Sequence, residues 1–408
     1  MALIDRFLAR AVRRGRLAVI HPDGARAAFG ASDPDLPDVT IRFADRGAER
    51  AILANPGLGA GEMIMEGRLL VEEGEVWDLV RMLKASNAWE GGSVALKPGR
   101  ARKALGAIRY RLDRINHERR SRRNVAHHYD LDADFYRLFL DENLQYSCAY
   151  FTDPANTLEQ AQADKKAHIA AKLLIEPGMR VLDIGCGWGG MALYLHERTG
   201  ADVLGVTLST EQLAVARARA EAAGVADKVR FELVDYRQVG GRFDRIVSVG
   251  MFEHVGPPHY RAFFAKCREL LADDGVMLLH TIGRMGKPGV TDAWTAKHIF
   301  PGGYNPALSE IVRAYEGLRL FPTDVEVLRL HYHWTIAHWY RRAVAARERI
   351  VAMYDERFYR MWIFYLAGAA AAFEFGGMCN YQLQLSRARR AVPVTRDYIA
   401  ASEEAYRS

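Results

Sequence analysis

Two periodicities of hydrophobic and polar positions alternate along the second half of the chain. Helical spacing runs from Leu158 to Leu174 and ends at Pro177-Gly178, after which short apolar runs typical of buried strands alternate with helical segments. Regular alternation of strands and helices predicts an α/β fold with a mostly parallel sheet that is covered by helices on both faces. The predicted strands are 180–184, 202–207, 229–234, 244–249 and 276–282, and the predicted helices between them are 189–198, 210–223 (with Thr210 as N-cap) and 258–271.

The first 95 residues follow a less regular pattern. Val39-Thr-Ile-Arg-Phe alternates like a strand, residues 76–83 have helical spacing, and Pro56-Gly-Leu-Gly-Ala-Gly predicts a turn into a helix. This mixture indicates a smaller α+β domain, and a length of 408 residues favours two domains over one. The predicted domains are an accessory N-terminal domain at 1–95, a basic linker at 96–123 and a catalytic domain at 124–408.

A glycine-rich turn follows the first strand of the alternating region. Residues 181–190 read Val-Leu-Asp-Ile-Gly-Cys-Gly-Trp-Gly-Gly, and the glycines let the backbone turn sharply and approach a ligand closely. A dinucleotide site would place a carboxylate about twenty residues further on. That region reads Gly205-Val-Thr-Leu-Ser, with no carboxylate until Glu211. The pattern therefore resembles the S-adenosylmethionine loop of class I methyltransferases, and a tight turn without a ligand is the alternative.

The loops after the remaining strands are the other candidates for function, because ligands bind at the carboxyl ends of the strands in such sheets. Asp235 and Tyr236 follow the third strand, where a carboxylate can accept the adenine amino group and a ring can cover the base. Glu253 follows the fourth strand, and His280 ends the fifth. An acid and an imidazole are thereby predicted beside the reactive end of the cofactor, although a buried histidine is more often a satisfied core residue.

Charge changes the picture at one place in the chain. The formal net charge is +6, and residues 100–123 contain ten Lys or Arg against two acids. Such a segment is either a solvated linker or a surface that attracts a polyanion such as an anionic membrane. Only Tyr110 interrupts the run, so aromatic stacking on single-stranded nucleic acid is disfavoured.

Composition narrows the remaining classes. The four cysteines contain no Cys-x-x-Cys pair, which argues against a disulfide framework and a structural metal. The longest apolar run, residues 361–373, is 13 residues long and falls short of the roughly 20 that a membrane span needs. No secretory signal is evident, and we expect a cytoplasmic protein without a metal site.

Ordered sequence blocks between about Asn124 and Gln384 resemble the cyclopropane-fatty-acid synthase family, which includes the bacterial phospholipid enzymes and the mycolic acid cyclopropane synthases. Residues 1–110 resemble the accessory domain of the phospholipid-acting branch only in size and position. Besides the glycine loop and Gly205-Val-Thr-Leu-Ser, the matching blocks are Ala126-His-His-Tyr-Asp, Tyr146-Ser-Cys-Ala-Tyr-Phe, residues 243–256, Leu279-His-Thr-Ile, Ile299-Phe-Pro-Gly-Gly and Arg360-Met-Trp.

The resemblance implies a reaction and a set of residues. In this family a cis alkene attacks the methyl group of S-adenosylmethionine, and loss of a proton to a bound bicarbonate ion closes a cyclopropane ring. The implied catalytic residues are Cys148, Glu253, His280, the backbone of Ile282, Tyr332 and the aromatic Tyr129. The implied cofactor-binding residues are Tyr146, Ser147, Asp183, Gly185, Gly187, Gly189, Thr207, Ser209, Gln212, Asp235 and Tyr236.

The resemblance also implies a location and partners. The expected substrate is an unsaturated acyl chain of membrane phospholipid, with the enzyme peripheral on the inner face of an anionic membrane, as a possible homodimer and without nucleic acid. An aromatic-rich insertion at about 284–345 is expected to form the acyl pocket, and His333-Trp334 and Glu374 depart from the family pattern there and nearby.

Three alternatives stay open. One is another fatty-acyl C-methyltransferase that gives a methyl-branched or methylene product. The second is a lipid-binding protein on a decayed scaffold, against which the intact predicted set argues. The third is a nucleic-acid methyltransferase, which would explain the charge and leave the bicarbonate residues without a purpose.

Overall fold

The computed structural model describes residues 2–91 and 132–407. The described strands are β1 (Gly15–Ile20), β2 (Arg26–Ala31), β3 (Val39–Phe43), β4 (Leu69–Glu73), β5 (Arg180–Ile184), β6 (Asp202–Thr207), β7 (Val229–Leu233), β8 (Phe243–Val249), β9 (Leu271–Arg284), β10 (Phe321–Leu328) and β11 (Met378–Ser386). The described α-helices are α1 (Leu3–Ala11), α2 (Arg46–Ala54), α3 (Pro56–Met65), α4 (Val76–Ala85), α5 (Ala133–Arg137), α6 (Leu158–Leu173), α7 (Gly190–Thr199), α8 (Thr210–Ala222), α9 (Tyr260–Leu270), α10 (Ala293–His298), α11 (Leu308–Tyr315), α12 (His331–Ala345), α13 (Arg347–Met353), α14 (Glu356–Glu374) and α15 (Asp397–Arg407).

The described residues form two compact units. Unit 1 contains residues 2–91 together with Thr291–Pro301 and His333–Gly377, and unit 2 contains the rest of the described chain. The chain therefore enters unit 1 three times, and two of those segments come from the region in which the sequence predicts the catalytic domain. The domain boundaries at residues 95 and 123 stay a prediction. The basic linker between them lies outside the described residues.

Unit 2 contains a seven-stranded sheet in the order β10-β11-β9-β8-β5-β6-β7. Strands β5 to β9 run parallel, whereas β11 is antiparallel to both β9 and β10. The predicted α/β class with a mostly parallel sheet is confirmed. Strands β5 and β6 have the predicted bounds, but β9 is longer than predicted, and Ser209 rather than Thr210 caps α8 by accepting the Gln212 N–H at 3.2 Å.

Alternate residues of the central strands pack into two hydrophobic layers. Leu182 of β5 and Ile246 of β8 belong to the cluster on one face of the sheet. Their neighbours Val181 and Val247 belong to the cluster on the other face. All four side chains are fully buried, which explains why these strands read as continuous apolar runs rather than as an alternating pattern.

Unit 1 contains a four-stranded mixed sheet in the order β2-β1-β3-β4. Its core includes Val19 of β1, Ile41 of β3 and Ile52 of α2. The Asp45 side chain caps α2 by accepting the N–H groups of residues 47 and 48. The sequence predicts a turn at 56–61, but Pro56 is the first residue of α3, where its missing N–H costs no helical hydrogen bond.

The aromatic-rich segment predicted to form the acyl pocket is divided between the units. Trp294 and Trp339 are buried in unit 1, and the Trp294 ring lies edge-on to Phe364 of α14 with centroids 4.8 Å apart. Tyr304 packs in the core of unit 2. The acyl-pocket assignment stays a prediction. Among the described residues, no helix combines the length and hydropathy that crossing a bilayer requires.

The unusual Glu374 has a specific partner within unit 1. Its carboxylate accepts two hydrogen bonds from the Arg81 guanidinium, at 2.7 and 2.5 Å, and joins α14 to α4. The two side chains are 17% and 20% exposed, and the Nδ1 atom of His333 lies 3.6 Å from the carboxylate. This bidentate pair explains how the fold accommodates Glu374.

We expect the Glu374→Gln substitution to lower the free energy of unfolding by about 1–3 kcal/mol, because it leaves the mostly buried Arg81 without its charged acceptor. Urea denaturation of the full chain measures this loss. The double variant R81M/E374L is expected to lose less than the sum of its two single substitutions. Additive losses would show that the pair contributes no coupling.

Candidate active site

The predicted glycine loop lies between β5 and α7 in unit 2. Gly185 has φ 82°, and a Cβ there would lie 2.7 Å from the Cβ of Met251. Gly187 has φ 54°, and a Cβ there would meet no described atom within 4 Å. The first glycine is therefore required by packing as well as by its left-handed backbone. The second is required by the backbone alone and faces open space.

A cleft at the carboxyl ends of β5, β6, β7 and β8 gathers most of the predicted cofactor residues. Those on its wall are Tyr146, Ser147, Asp183, Gly185, Gly187, Thr207, Gln212, Asp235 and Tyr236. Gly189 and Ser209 lie outside the lining: a Cβ on Gly189 would lie 2.7 Å from Phe231 Cζ, and Ser209 caps α8. Both residues lie next to the cleft lining and contribute to the local fold.

Asp183 is the last residue but one of β5, and its side chain is almost completely buried. Its Oδ2 atom has no hydrogen-bond partner among the described residues. Burial raises the pKa of Asp183 to about 7, and the nearby charge of Lys165 opposes the rise. An unpartnered acceptor on the wall of a cleft is a position where a ligand with N–H or O–H groups would find a partner.

Asp235 is held by a residue that the sequence analysis missed. The Arg237 side chain donates from Nε to Oδ1 at 2.8 Å and from Nη2 to Oδ2 at 2.6 Å, and Arg237 also lines the cleft. The predicted adenine acceptor is thus oriented by a bidentate ion pair. Burial raises the pKa of the adjacent Tyr236 well above its usual value, so its ring stays neutral on the cleft wall.

A second missed residue, Arg219 of α8, fixes the glycine loop from behind. Its Nη1 donates to the Trp188 carbonyl at 2.9 Å, and its Nη2 donates to Asn143 Oδ1 at 3.0 Å. The loop is thereby joined to the segment that precedes Tyr146. No local sequence signal links α8 to that segment, because the residues are far apart in the chain.

Glu253 and Ile282 are brought together at the ends of β8 and β9. The Ile282 N–H donates to Glu253 Oε1 at 2.6 Å, whereas Oε2 is buried and has no partner among the described residues. Burial raises the pKa of Glu253 to about 7, and the backbone hydrogen bond from Ile282 opposes the rise. Met251 and His254 line the cleft, so Glu253 lies in the sequence between two cleft-lining residues. The group can hold or release a proton near neutral pH.

His280 is buried between two amide side chains of β11. Gln382 Nε2 lies 3.2 Å from Nδ1, and Asn380 Nδ2 lies 3.4 Å from Nε2. Burial lowers the pKa of His280 to about 3, so the ring is neutral. A neutral imidazole has one N–H and one lone pair, so only one of the two amide nitrogens can donate to the ring.

Cys148 and Tyr332 are also buried in unit 2. The Cys148 thiol donates to the carbonyl of Ala149 at 3.3 Å, and Tyr332 lies in the first turn of α12. The adjacent His331 accepts the Phe151 N–H at Nδ1 at 2.9 Å, which joins the two segments. Convergence of these side chains with Glu253 and His280 on one anion stays a prediction. Tyr129 lies outside the described residues.

In the described ranges 2–91 and 132–407, no cluster of three or more His, Cys, Asp or Glu side chains could hold a metal ion.

The family model described as mycolic acid cyclopropane synthetase matches residues 116–383, about the range over which the sequence blocks show their resemblance. The chain belongs to this family.

Individual members of the mycolic acid cyclopropane synthetase family extend the comparison. The cyclopropane-fatty-acyl-phospholipid synthase of Escherichia coli K12 is 38% identical over 339 residues, which cover 83% of this chain and 85% of that protein. A probable fatty acid methyltransferase of Pseudomonas putida is 41% identical over 280 residues, covering 66% and 71%. The crystal structure of a mycolic acid cyclopropane synthase, CmaA1, complexed with SAH and CTAB has a TM-score of 0.62 and 34% identity over 65% of this chain and 98% of that one.

Family membership and the cleft together make this chain an S-adenosylmethionine-dependent methyltransferase. The cofactor fits the residues present, because the cleft combines a glycine loop, the unpartnered Asp183 oxygen and the oriented Asp235. The sequence analysis located the functional loops at the carboxyl ends of the strands. It missed Arg219, Asn380 and Gln382, because their partners come from other elements, and it missed Arg237, whose partner Asp235 is only two residues away.

Proposed function

We propose that this chain converts the cis double bond of an unsaturated acyl chain of membrane phospholipid into a cyclopropane ring. Bound S-adenosylmethionine supplies an electrophilic methyl group on a sulfonium. The C–S bond breaks, two C–C bonds form at the former double bond, and the new methyl group loses one proton. A base must accept that proton in a site that excludes water, since water would quench the carbocation.

The buried Glu253 carboxyl carries this proposal. It is 6% exposed, its Oε1 is anchored by Ile282, and its Oε2 has no partner among the described residues. A pKa raised to about 7 by burial allows the group to hold a proton and pass it on at neutral pH.

A bound bicarbonate ion is part of the proposal as the immediate base. Glu253, when protonated, would hold it through Oε2–H, and Cys148, His280 and Tyr332 complete the proposed set. The Ile282 N–H already donates to Glu253 and both nitrogens of His280 contact β11 amides, so the anion would share these two groups with protein partners. Glu253 is therefore the residue on which anion binding depends most.

Substrate presentation is proposed from the relatives and the charge. The Escherichia coli relative is named as acting on fatty-acyl phospholipid, and residues 100–123 carry the basic excess that would attract an anionic membrane. We place the enzyme on the inner face of the membrane, as a possible homodimer. The acyl pocket is proposed to come from the aromatic-rich segment at about 284–345.

Product analysis tests the proposal. The full-length protein is incubated with S-adenosylmethionine and vesicles of dioleoyl phosphatidylglycerol, with the saturated distearoyl lipid as a control. We expect the oleoyl lipid to gain the mass of one CH₂ group and to lose its olefinic protons in proton NMR, and the saturated lipid to stay unchanged. A CH₂ gain with olefinic protons retained would overturn cyclopropanation.

The second candidate is a fatty-acyl C-methyltransferase that gives a methyl-branched or methylene product. The similarity to the probable fatty acid methyltransferase of Pseudomonas putida favours it, because that protein is 41% identical over 280 residues, which cover 66% of this chain. The same spectra separate the two, since a methylene product keeps vinylic protons and a branched product shows a new methyl doublet.

A further inference from the structure

A lysine that the reaction does not use lies buried behind the cofactor cleft. Lys165 of α6 is 0% exposed, and its ammonium donates to Gln145 Oε1 at 2.7 Å and to Ser147 Oγ at 2.9 Å. No carboxylate of the described residues pairs with it. Burying an ammonium without a paired charge costs several kcal/mol, so this placement needs an explanation.

The two acceptors of Lys165 both line the cleft. An ammonium has donors and no acceptor, so Ser147 must accept from it and direct its own O–H elsewhere. Gln145 likewise accepts with its amide oxygen, and its Nε2 donates one N–H to the Asn143 carbonyl at 3.4 Å, which leaves its second N–H. Lys165 thus sets the direction of two hydrogen-bonding groups and leaves their donor sides for other partners.

These donors lie at the end of the cleft opposite to Asp235. In the strand order β8-β5-β6-β7, Asp235 follows the edge strand β7. Ser147 lies 3.8 Å from a Cβ built on Gly250 after β8, and Gln145 Nε2 lies 2.5 Å from one built on Gly190 after β5. If the adenine lies at Asp235, the amino-acid end of the cofactor reaches Gln145 and Ser147.

The charges at this end match an amino acid. Asp183 offers a buried, unpartnered Oδ2 to an α-ammonium group. Gln145 and Ser147 offer N–H and O–H donors to an α-carboxylate. Burial lowers the pKa of Lys165 to about 7, and a carboxylate bound nearby would favour its charged form.

We infer that Lys165 is a positioning residue that holds Gln145 and Ser147 as hydrogen-bond donors to the α-carboxylate of the cofactor. The inference rests on the use of S-adenosylmethionine and is independent of the lipid product. It predicts that Lys165 matters for ligands that carry the amino-acid group and is unimportant for ligands that lack it.

Calorimetry on the full-length protein tests this with two probes. S-adenosylhomocysteine carries the amino-acid group, and 5′-methylthioadenosine lacks it. We expect Lys165→Met to weaken S-adenosylhomocysteine binding by about 10- to 100-fold, the range for hydrogen bonds to a charged group, and to change methylthioadenosine binding less than about threefold. Equal weakening of both ligands, or of neither, would overturn the inference.

Gln162 provides a matched control on the same helix. Its Nε2 donates to the carbonyls of Gln145 and Ser147, at 3.3 and 3.0 Å, so it holds the same backbone without orienting their side chains. We expect Gln162→Met to affect both ligands alike. If it shows the same ligand selectivity as Lys165→Met, the selectivity reports backbone displacement and the inference fails.

Coupling to Ser147 is the second test. In a Ser147→Ala background, Lys165→Met should weaken S-adenosylhomocysteine binding less than it does in the native chain, because one of the groups it orients is already gone. Full additivity would contradict the proposed route. If Lys165→Met fails to fold, Ser147→Ala and Gln145→Leu must themselves show the ligand selectivity, and equal effects on both ligands would overturn the inference.

Discussion

Replacing Glu253 by glutamine is expected to leave cofactor binding intact and to lower turnover by about 10²- to 10⁴-fold, the range for loss of a positioned acid–base group. Glutamine has the same shape and keeps an oxygen for the Ile282 N–H, so the local fold should persist. It has no carboxyl proton with which to hold the bicarbonate base or to relay the proton that this base takes from the substrate. Initial rates with S-adenosylmethionine and oleoyl phospholipid vesicles measure the loss, and calorimetry with S-adenosylhomocysteine checks binding.

Glu253→Asp is the matched control, because it keeps a titratable group and shortens the reach to Ile282. We expect it to be more active than Glu253→Gln, although below the native enzyme. Turnover of Glu253→Gln within about threefold of native would remove Glu253 from proton transfer. Greater activity of the glutamine than of the aspartate variant would assign it a purely steric role.

The raised pKa of Glu253, about 7 against an unperturbed value of 4.5, also fixes the sign of a stability effect. Below pH 4.5 the group is protonated in both the folded and the unfolded chain and costs nothing. As pH rises to about 7 the unfolded chain releases the proton first, so the native protein should lose about 3 kcal/mol relative to Glu253→Gln. Denaturation of both proteins across this pH range measures the difference.

The ends of the parallel strands were predictable because one local pattern, an apolar run followed by glycine or a polar residue, indicates both a strand and the loop after it. Gly185, Asp235 and Glu253 were located in this way. Strand β11 was not, since its Asn380 and Gln382 are buried polar residues that interrupt the apolar pattern. Their hydrogen bonds to His280 exist only after β11 pairs with β9.

Helix α6 shows the same limit more strongly. Its many charged positions suggest a solvated helix. In the structure, however, several of them face the interior and are buried, among them Asp164, Lys165, His168 and Lys172. His168 lies between Glu326 and Glu403, and Lys172 is paired with Asp324 and Glu326. Buried charges are tolerated when partners from distant segments satisfy them, and such partners are invisible to local periodicity.

Gly187→Ala and Gly185→Ala are expected to separate cofactor binding from folding. At Gly187 the added Cβ meets no described protein atom, so the free energy of unfolding should fall only by the left-handed backbone cost of about 1–2 kcal/mol. Gly187 lines the cleft, so the same methyl group should collide with bound S-adenosylhomocysteine and lower its binding affinity about tenfold or more.

At Gly185 the Cβ would lie 2.7 Å from Met251, so the substitution should cost about 2–4 kcal/mol of folding free energy before any ligand is added. Urea denaturation without ligand and calorimetry with S-adenosylhomocysteine measure the two quantities for both variants. A Gly187→Ala protein that binds the ligand as tightly as the native chain would show that the cofactor does not approach this loop. Both glycines have a left-handed backbone, and they differ in the space around them. Comparing the two variants therefore separates an effect on ligand binding from an effect on folding.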